Sequence, residues 1–303
     1  MPSEFELIRK YFERPARSAV LGVGDDAALL RPAAGMELAV STDLLLEGRH
    51  FRAGADPRKL GHKALAVNLS DMAAMGARPR WATLALALPS ANEKWLAAFA
   101  AGFFRLAKRH ALELIGGDTT RGRLAICVTI LGEVPRGKAL RRDGARPGDE
   151  IWVSGALGGA AYALVRPRNA AAAGRLHTPA PRVALGLRLR GVATAAIDVS
   201  DGFAQDLGHI LERSGAGADV HYERLPKFRI GDRRLERRCV LSGGDDYELI
   251  FTARPGASIA AIARALGLRL TRVGSIVRRR VLRILDAQGR PMKVGRGFDH
   301  FAA

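Results

Sequence analysis

The sequence has few cysteines, few aromatic residues and no long apolar run. Its two cysteines, Cys127 and Cys239, cannot form a disulfide framework, and neither lies in a C-x-x-C motif of a zinc or redox site. Aromatic residues make up 6% of the chain, which argues against a stacking surface for single-stranded nucleic acid. No apolar stretch approaches ~18 residues without a charge or a helix breaker, and the N-terminus lacks a signal-peptide core. We therefore expect a cytoplasmic protein without a membrane span.

Acidic residues are also scarce: 30 Asp and Glu stand against 48 Lys and Arg, so the formal charge of the 303 residues is +18. Such a charge, taken alone, favours a polyanion as partner. The excess is almost entirely arginine, with 40 Arg and 8 Lys, and it is spread along the chain apart from short clusters such as Arg278 to Arg280. A polyanion-binding protein is therefore one hypothesis, whose test is steeply salt-dependent binding to DNA or RNA.

Hydrophobic periodicity predicts strands that alternate with helices in both halves of the chain. The predicted strands are 37–42, 81–88, 124–134, 150–154, 194–197, 247–252 and 268–276. The predicted helices are 57–75, 91–110, one after Gly158-Gly159, and 202–213, whereas 166–181 is predicted to be a loose segment. The turn-rich stretch from Pro135 to Asp149 separates the halves. We predict an α/β (α+β) fold with two domains, residues 1–146 and 147–303.

The few carboxylates concentrate in short clusters beside Gly, Ser or Thr, and each cluster follows or ends an apolar run. The clusters are Gly22–Asp26, Ser41–Asp43, Asn68–Asp71, Gly116–Thr120, Asp198–Gly202 and Gly243–Glu248. One such cluster is ordinary turn or cap chemistry. Six in a strongly basic chain favour another explanation, because gathered carboxylates repel one another unless cations neutralise them. Carboxylate oxygens suit Mg²⁺, and glycines let backbone amides approach phosphates, so the pattern predicts a site for Mg²⁺ and a nucleotide phosphate.

Other phosphate-binding templates fit less well. The segment Gly22–Ala27 matches G-x-G-x-x-A, but its two aspartates would face a pyrophosphate directly. The chain has no G-x-x-x-x-G-K-[ST] loop and no H-R-D and D-F-G pair, so a P-loop kinase and a protein kinase are both disfavoured.

The clusters, in this order, closely resemble the thiamine-monophosphate kinase family, which shares a superfamily with aminoimidazole ribonucleotide synthetase and selenophosphate synthetase. The resemblance covers nearly the whole chain. The matching stretches are Gly22–Leu30, Ser41–Phe51, Lys63–Ala77, Leu114–Gly122, Ile197–Gly202, Asp206–Ile210, Leu241–Leu249 and Gly297–Phe301.

The resemblance implies ATP-dependent phosphorylation of thiamine monophosphate to thiamine diphosphate, by direct transfer assisted by several Mg²⁺ ions and without a covalent phospho-enzyme. Carried over by position, the implied metal ligands are Asp26, Ser41, Thr42, Asp43, Asp71, Asp118, Asp198 and Asp201, with Asp25 a weaker candidate. The implied ATP contacts are Gly117, Asp118, Arg142 and Ser200, and the implied substrate contacts are His50, Asp245 and Phe298. One position departs from the family, which usually has Glu where this chain has Asp245.

The resemblance also implies a fold and an assembly. The family has an N-terminal α/β domain whose sheet pairs with that of a second subunit, and a C-terminal α+β domain, with ATP between them. We accordingly expect a homodimer, and no nucleic-acid or membrane partner. A related ATP-dependent enzyme with a different acceptor, and the polyanion-binding protein, remain the alternative hypotheses.

Overall fold

A computed structural model describes residues 3–24, 26–295, 297 and 298. Asp25 and the last three residues of the tail motif, Asp299 to Phe301, lie outside the described residues. The chain divides into two compact units, the first formed by Met1–Met72 and Ala77–Gly137, the second by Ala73–Gly76 and Lys138–Ala303. The predicted domain limit between residues 146 and 147 stays a prediction.

The first unit is built on a four-stranded sheet. Its elements are α1 (Glu4–Tyr11), β1 (Met36–Leu46), α2 (Pro57–Ala74, whose last two residues belong to the second unit), β2 (Arg78–Leu88), α3 (Glu93–Arg109), β3 (Glu113–Arg121) and β4 (Ala125–Pro135). The strand order is β1-β4-β2-β3, in which β4 runs antiparallel to β1 and β2, and β2 runs parallel to β3.

Helix α2 begins at the predicted cap, Asp56, whereas the Asn92 cap of α3 was not predicted. The Asp56 carboxylate accepts hydrogen bonds from the amides of Arg58 and Lys59, at 2.9 and 3.1 Å, which fixes the start of α2. Asn92 caps α3 in the same way through the Trp95 amide. On α3, Phe99, Phe103 and Leu106 are buried, as the helical spacing predicts.

The two faces of this sheet differ. On β4 one face is buried, through Ile126, Val128 and Ile130. Because side chains alternate along a strand, every second residue of β1 points to the face of the sheet opposite to this buried one. That face exposes large apolar side chains on β1, with 40% of Leu38, 60% of Val40, 50% of Leu44 and 39% of Leu46 accessible.

The second unit is built on a six-stranded mixed sheet of order β10-β7-β9-β5-β8-β6. Its elements are β5 (Glu150–Ser154), α4 (Gly159–Val165), α5 (Ala170–His177), α6 (Val183–Leu189), β6 (Ala193–Asp198), α7 (Phe203–Ser214), β7 (Gly217–His221), a 3-10 turn (Tyr222–Arg224), α8 (Arg233–Ser242), β8 (Leu249–Ala253), α9 (Ile259–Leu266), β9 (Leu270–Val277) and β10 (Leu282–Leu285). Strand β8 is buried along its whole length, and the core includes Phe203, Leu207 and Ile250.

The predicted fold class, mixed α/β in both halves, is confirmed. The loose segment predicted at 166–181 is wrong, because this segment contains α5. Asn169 caps α5 through the Ala172 amide, at 3.0 Å, and Ala172 and Leu176 are buried. Within the described residues, no helix is long and apolar enough to cross a membrane.

Candidate functional site

In the first unit, strand β1 and helix α2 bring two predicted metal ligands together. The Ser41 hydroxyl donates a hydrogen bond to the Asp71 carboxylate, and both side chains are half-buried. Asp43 lies two residues after Ser41 on β1 and therefore shares its face of the sheet. Thr42 points to the opposite face, where its hydroxyl lies 2.9 Å from that of Thr129. The structure therefore groups Ser41, Asp43 and Asp71, and turns Thr42 away from them.

Gly117 and Asp118 lie on the edge strand β3, in register with Leu84 and Ala85 of β2. Gly117 has a φ of 154°, and a Cβ at this position would lie 1.9 Å from the Leu84 carbonyl oxygen. Only glycine fits this close approach, which explains the glycine directly before Asp118. The Asp118 side chain is exposed.

A cavity of about 620 Å³ in the first unit brings Asp26, Gly117 and Asp118 to one lining. Its apolar wall includes Ile8, which lies on α1, and Phe12, which directly follows α1. Two exposed carboxylates beside an apolar wall suit a nucleotide, which has both a phosphate chain and an apolar base.

His50 follows β1 and has a defined tautomer. Its Nδ1 accepts a hydrogen bond from the Leu46 amide at 3.0 Å, so the proton of the neutral ring is on Nε2. The Lys63 ammonium donates to the His50 carbonyl oxygen at 3.4 Å, which brings a positive charge to the same turn. An imidazole donor beside a lysine suits a phosphate group.

In the second unit, Asp198 ends β6 and Asp201 lies in the loop before α7. The loop is braced by Asp206, whose carboxylate accepts hydrogen bonds from the Asp201 and Gly202 amides at 3.1 and 3.0 Å. Burial, together with the negative charges of Asp198 and Asp201, raises the pKa of Asp206 to about 8. A divalent cation at Asp198 and Asp201 would relieve this repulsion, so the donor set of the loop fits Mg²⁺.

The loop Gly243–Glu248 is hydrogen-bonded to this aspartate loop. The Asp245 amide donates to the Ser200 carbonyl oxygen at 2.9 Å, and the Tyr247 amide donates to that of Val199 at 2.8 Å. Two of the predicted positions, Ser200 in the ATP set and Asp245 in the substrate set, are therefore neighbours.

Phe298 lies beside the same aspartate loop. Its amide donates to the Asp201 carbonyl oxygen at 3.1 Å, and its own carbonyl accepts from Gln205 Nε2 at 2.9 Å. The ring is 41% exposed and so offers an apolar face. Arg142 is exposed, and its carbonyl accepts from the Ser214 hydroxyl at 2.9 Å.

The buried groups that hold these loops are not among the predicted site residues. Asp246 accepts hydrogen bonds from the Gly158 and Ala160 amides, at 2.6 and 3.4 Å, and burial raises its pKa to about 7. Glu248 accepts from the Ser154 hydroxyl at 2.6 Å and from Arg182 in a bidentate pair at 2.6 and 2.5 Å. No local pattern marks these two acids, because they lie in a loop and Tyr247 between them is buried as well.

Among the side chains that the structure describes, no group of three or more His, Cys, Asp or Glu could hold a metal ion by itself. The predicted ligands are hard oxygen donors, carboxylates and hydroxyls, in both units. That chemistry fits Mg²⁺, which commonly takes one or two carboxylates and completes its shell with water and substrate phosphates.

Comparison with known proteins gives full-length matches. Residues 24–134 match the family model "AIR synthase related protein, N-terminal domain", and residues 146–286 match "AIR synthase related protein, C-terminal domain". Thiamine-monophosphate kinase of Salmonella typhimurium is 44% identical over 99% of this chain and 98% of its own length.

Solved structures agree with these matches. The crystal structure of thiamine-monophosphate kinase from Stenotrophomonas maltophilia is 48% identical, with a TM-score of 0.85 over 94% of this chain and 95% of that chain. A structure described as AaThiL complexed with AMPPCP and TMP is 29% identical, with a TM-score of 0.77 over 98% and 96% of the two chains.

Proposed function

The chain belongs to the thiamine-monophosphate kinase family of AIR synthase related proteins, and on that premise we propose that it phosphorylates thiamine monophosphate. The reaction transfers the γ-phosphoryl group of ATP to the phosphate of thiamine monophosphate, giving ADP and thiamine diphosphate. The observation that carries the proposal is the similarity along the full length, 44% to 48% identity, to proteins of this name. AMPPCP, which a related structure holds together with TMP, is an analogue of ATP.

The residues suit direct, in-line transfer. Phosphoryl transfer depends on positioning and charge neutralisation more than on a protein nucleophile. Several Mg²⁺ ions, held by Asp26, Ser41, Asp43, Asp71, Asp118, Asp198 and Asp201, would supply that neutralisation when bound. We leave Thr42 out of this set, because its hydroxyl lies on the opposite face of β1, beside that of Thr129.

The remaining site residues bind and orient the two substrates. For ATP we propose the Gly117 backbone, Asp118, Ser200 and the Arg142 guanidinium, whose planar fork matches phosphate oxygens. For thiamine monophosphate we propose that His50 donates from Nε2 to the phosphate. Asp245 faces the cationic ring system, and Phe298 covers an apolar ring face.

We propose that residues 1–146 form the domain that binds metal and ATP and makes the dimer, and that residues 147–303 complete the ATP and substrate site. Support for a homodimer comes from the exposed apolar face of β1, where Val40 and Leu44 are 60% and 50% accessible. A second copy of the sheet would cover these side chains and the strand edges beside them.

The activity is tested by ADP release in a coupled assay. We expect thiamine monophosphate to stimulate release by at least about tenfold, and thiamine, which lacks the accepting phosphate, to have no effect. If thiamine monophosphate has no effect while another phosphate-bearing acceptor stimulates release, the chain is a related kinase of different specificity and the proposal is wrong.

The dimer is tested by sedimentation of a double variant, Val40→Asp with Leu44→Asp. The wild type should sediment at twice the 32.5 kDa chain mass, and the double variant as a monomer, because two buried charges on each side oppose association. Val281→Asp, an equally exposed valine at 56% in the second unit, is the control and should remain dimeric. A wild-type monomer would refute the proposed dimer.

A further inference from the structure

The loop Gly243–Glu248 contains two residues in a backbone conformation that side chains rarely adopt. Asp245 has a φ of 66° and Tyr247 a φ of 49°. Such left-handed conformations are common for Gly, tolerated by Asp and Asn, and unusual for Tyr. A strained residue of this kind persists where the surroundings hold it, and such residues cluster at functional sites.

The surroundings hold the loop through its backbone and its alternate side chains. The acids at 246 and 248 are buried, with 8% and 2% exposed, and bond to the Gly158 amide and to Arg182. The Asp245 and Tyr247 amides bond to the backbone of the neighbouring aspartate loop. None of these bonds involves the Tyr247 hydroxyl, so they would remain if it were removed.

The Tyr247 hydroxyl donates a hydrogen bond to Asp245 Oδ1 at 2.8 Å. The Tyr247 side chain is itself fixed by packing, because the residue is only 8% exposed. A buried ring therefore fixes the direction of a half-buried carboxylate two residues earlier in the chain.

We propose that Tyr247 is a positioning residue of the substrate site, which holds the Asp245 carboxylate toward the cationic part of the acceptor. The inference rests on the proposed function, because it takes Asp245 as a contact of thiamine monophosphate. The tyrosine acts through Asp245 and does not touch the reacting phosphates. It preorganises the carboxylate, which lowers the entropy lost when the cation binds.

The length of the acid is part of this arrangement. An aspartate tolerates the left-handed backbone, and its short side chain meets the hydroxyl two residues later. A glutamate at 245 would carry the carboxylate one methylene farther and change that contact. Tyr247 and Asp245 therefore form one functional pair.

The test is the variant Tyr247→Phe in the full-length enzyme, which keeps the ring and loses only the hydroxyl. We expect the KM for thiamine monophosphate to rise about five- to tenfold, an effect in the range of one lost ordinary hydrogen bond, because the tyrosine acts only through Asp245. The kcat and the KM for ATP should change by less than about twofold, because the bonds that hold the loop backbone remain. Tyr222→Phe is the matched control, since Tyr222 is also 8% exposed and donates to a carboxylate, that of Glu236, at 3.4 Å.

A double-variant cycle with Asp245→Asn separates positioning from structural support. If Tyr247 acts through the carboxylate, Tyr247→Phe should raise the KM no further in the Asp245→Asn background. A full additional rise there, or an unchanged KM in the single variant, would overturn the inference. Thermal melting of all variants shows whether each is folded, and a Tyr247→Phe variant that does not fold would also overturn the inference, because the hydroxyl would then be needed for the fold itself.

ADP release by the wild type distinguishes a failure of the positioning role from a failure of the proposed function. Absence of thiamine monophosphate-dependent ADP release in the wild type contradicts the function itself. Normal wild-type activity with an unaffected Tyr247→Phe contradicts the positioning role alone.

Discussion

The two units present their predicted site residues on different kinds of structure. In the first unit the predicted ligands Asp43, Asp71 and Asp118 belong to β1, α2 and β3, whose backbones are held by regular hydrogen bonds, and only Asp26 lies outside the helices and strands. In the second unit Asp198 ends β6, whereas Asp201 and Asp245 lie in loops. Strands and helices fix a side chain through their own ladders, whereas loops need additional partners.

Those partners are present in the second unit. Asp206 holds the segment around Asp201, Gln205 holds Phe298 beside that segment, and Asp246 and Glu248 hold the loop of Asp245. Substitutions should therefore act differently in the two units. In the first unit, activity should depend on the ligands themselves. In the second unit, it should also depend on the buried residues that hold the loops of Asp201 and Asp245.

The largest effect is expected at a ligand of the first unit. Asp71→Asn keeps the shape of the side chain and its bond to Ser41 but removes the charge, so turnover should fall by about 10³-fold or more while the fold remains. The measurement is kcat at saturating Mg²⁺, with circular dichroism for folding. Glu93→Gln, which neutralises another acid of the same unit, should leave kcat unchanged. Wild-type activity in Asp71→Asn would remove Asp71 from the site.

A large effect on stability is expected at the buried ion pair that holds the loop of Asp245 in the second unit. Arg182→Met removes the bidentate partner of Glu248, which is 2% exposed, and leaves the carboxylate with the Ser154 hydroxyl and with Arg175 at 4.0 Å, so the unfolding free energy should fall by about 3 kcal/mol. Urea unfolding measures this loss. The KM for thiamine monophosphate should also rise, because the loop of Asp245 loses a support.

The matched control is Arg188→Met on α6, which replaces an exposed arginine of the helix that Arg182 precedes. We expect it to change the unfolding free energy by less than about 0.5 kcal/mol. Equal losses in the two variants would show that the Glu248 pair is not a specific brace, and the contrast between the two units would lose its basis.

The sequence predicts the regular elements well where apolar periodicity is strong. The strand at Trp81–Leu88 and the helix around Phe99 and Phe103 are found close to their predicted bounds. Strand β3 escaped prediction because Gly116, Gly117 and the polar residues after them are typical of a turn, and the pairing with β2 that makes them a strand is a long-range property.

The candidate site shows the same division. The acidic motifs predict a site for Mg²⁺ and phosphate, and the family resemblance implies which residues of them are ligands; the structure brings Ser41 to Asp71 and Asp245 to Ser200. The braces could not be predicted, because the Arg182–Glu248 pair joins residues 66 positions apart and arginine is common throughout this chain. Which arginine is buried beside which acid depends on packing that no local pattern records.

The smallest expected effect concerns an ion pair away from the candidate site, which should contribute to the unfolding free energy and not to substrate binding. The Asp219 carboxylate on β7 pairs with Arg283 on β10 at 2.8 Å and also with Arg279, and the pKa of this carboxyl is lowered to about 2, chiefly by the hydrogen bonds from Arg283. Because this pKa is below the unfolded value, the pair stabilises the fold above pH ~4 and the stabilisation is lost as the pH falls toward 2.

Asp219→Asn should therefore lower the unfolding free energy by about 1–2 kcal/mol at pH 7, a value that allows for the partial exposure of the arginines. The difference from the wild type should shrink by roughly half at pH 3. Urea unfolding at both pH values measures it, and the kinetic constants should not change, because the pair lies outside the loops of Asp201 and Asp245. A rise in the KM for thiamine monophosphate comparable to that of Arg182→Met would mean that any loss of stability in this unit weakens substrate binding.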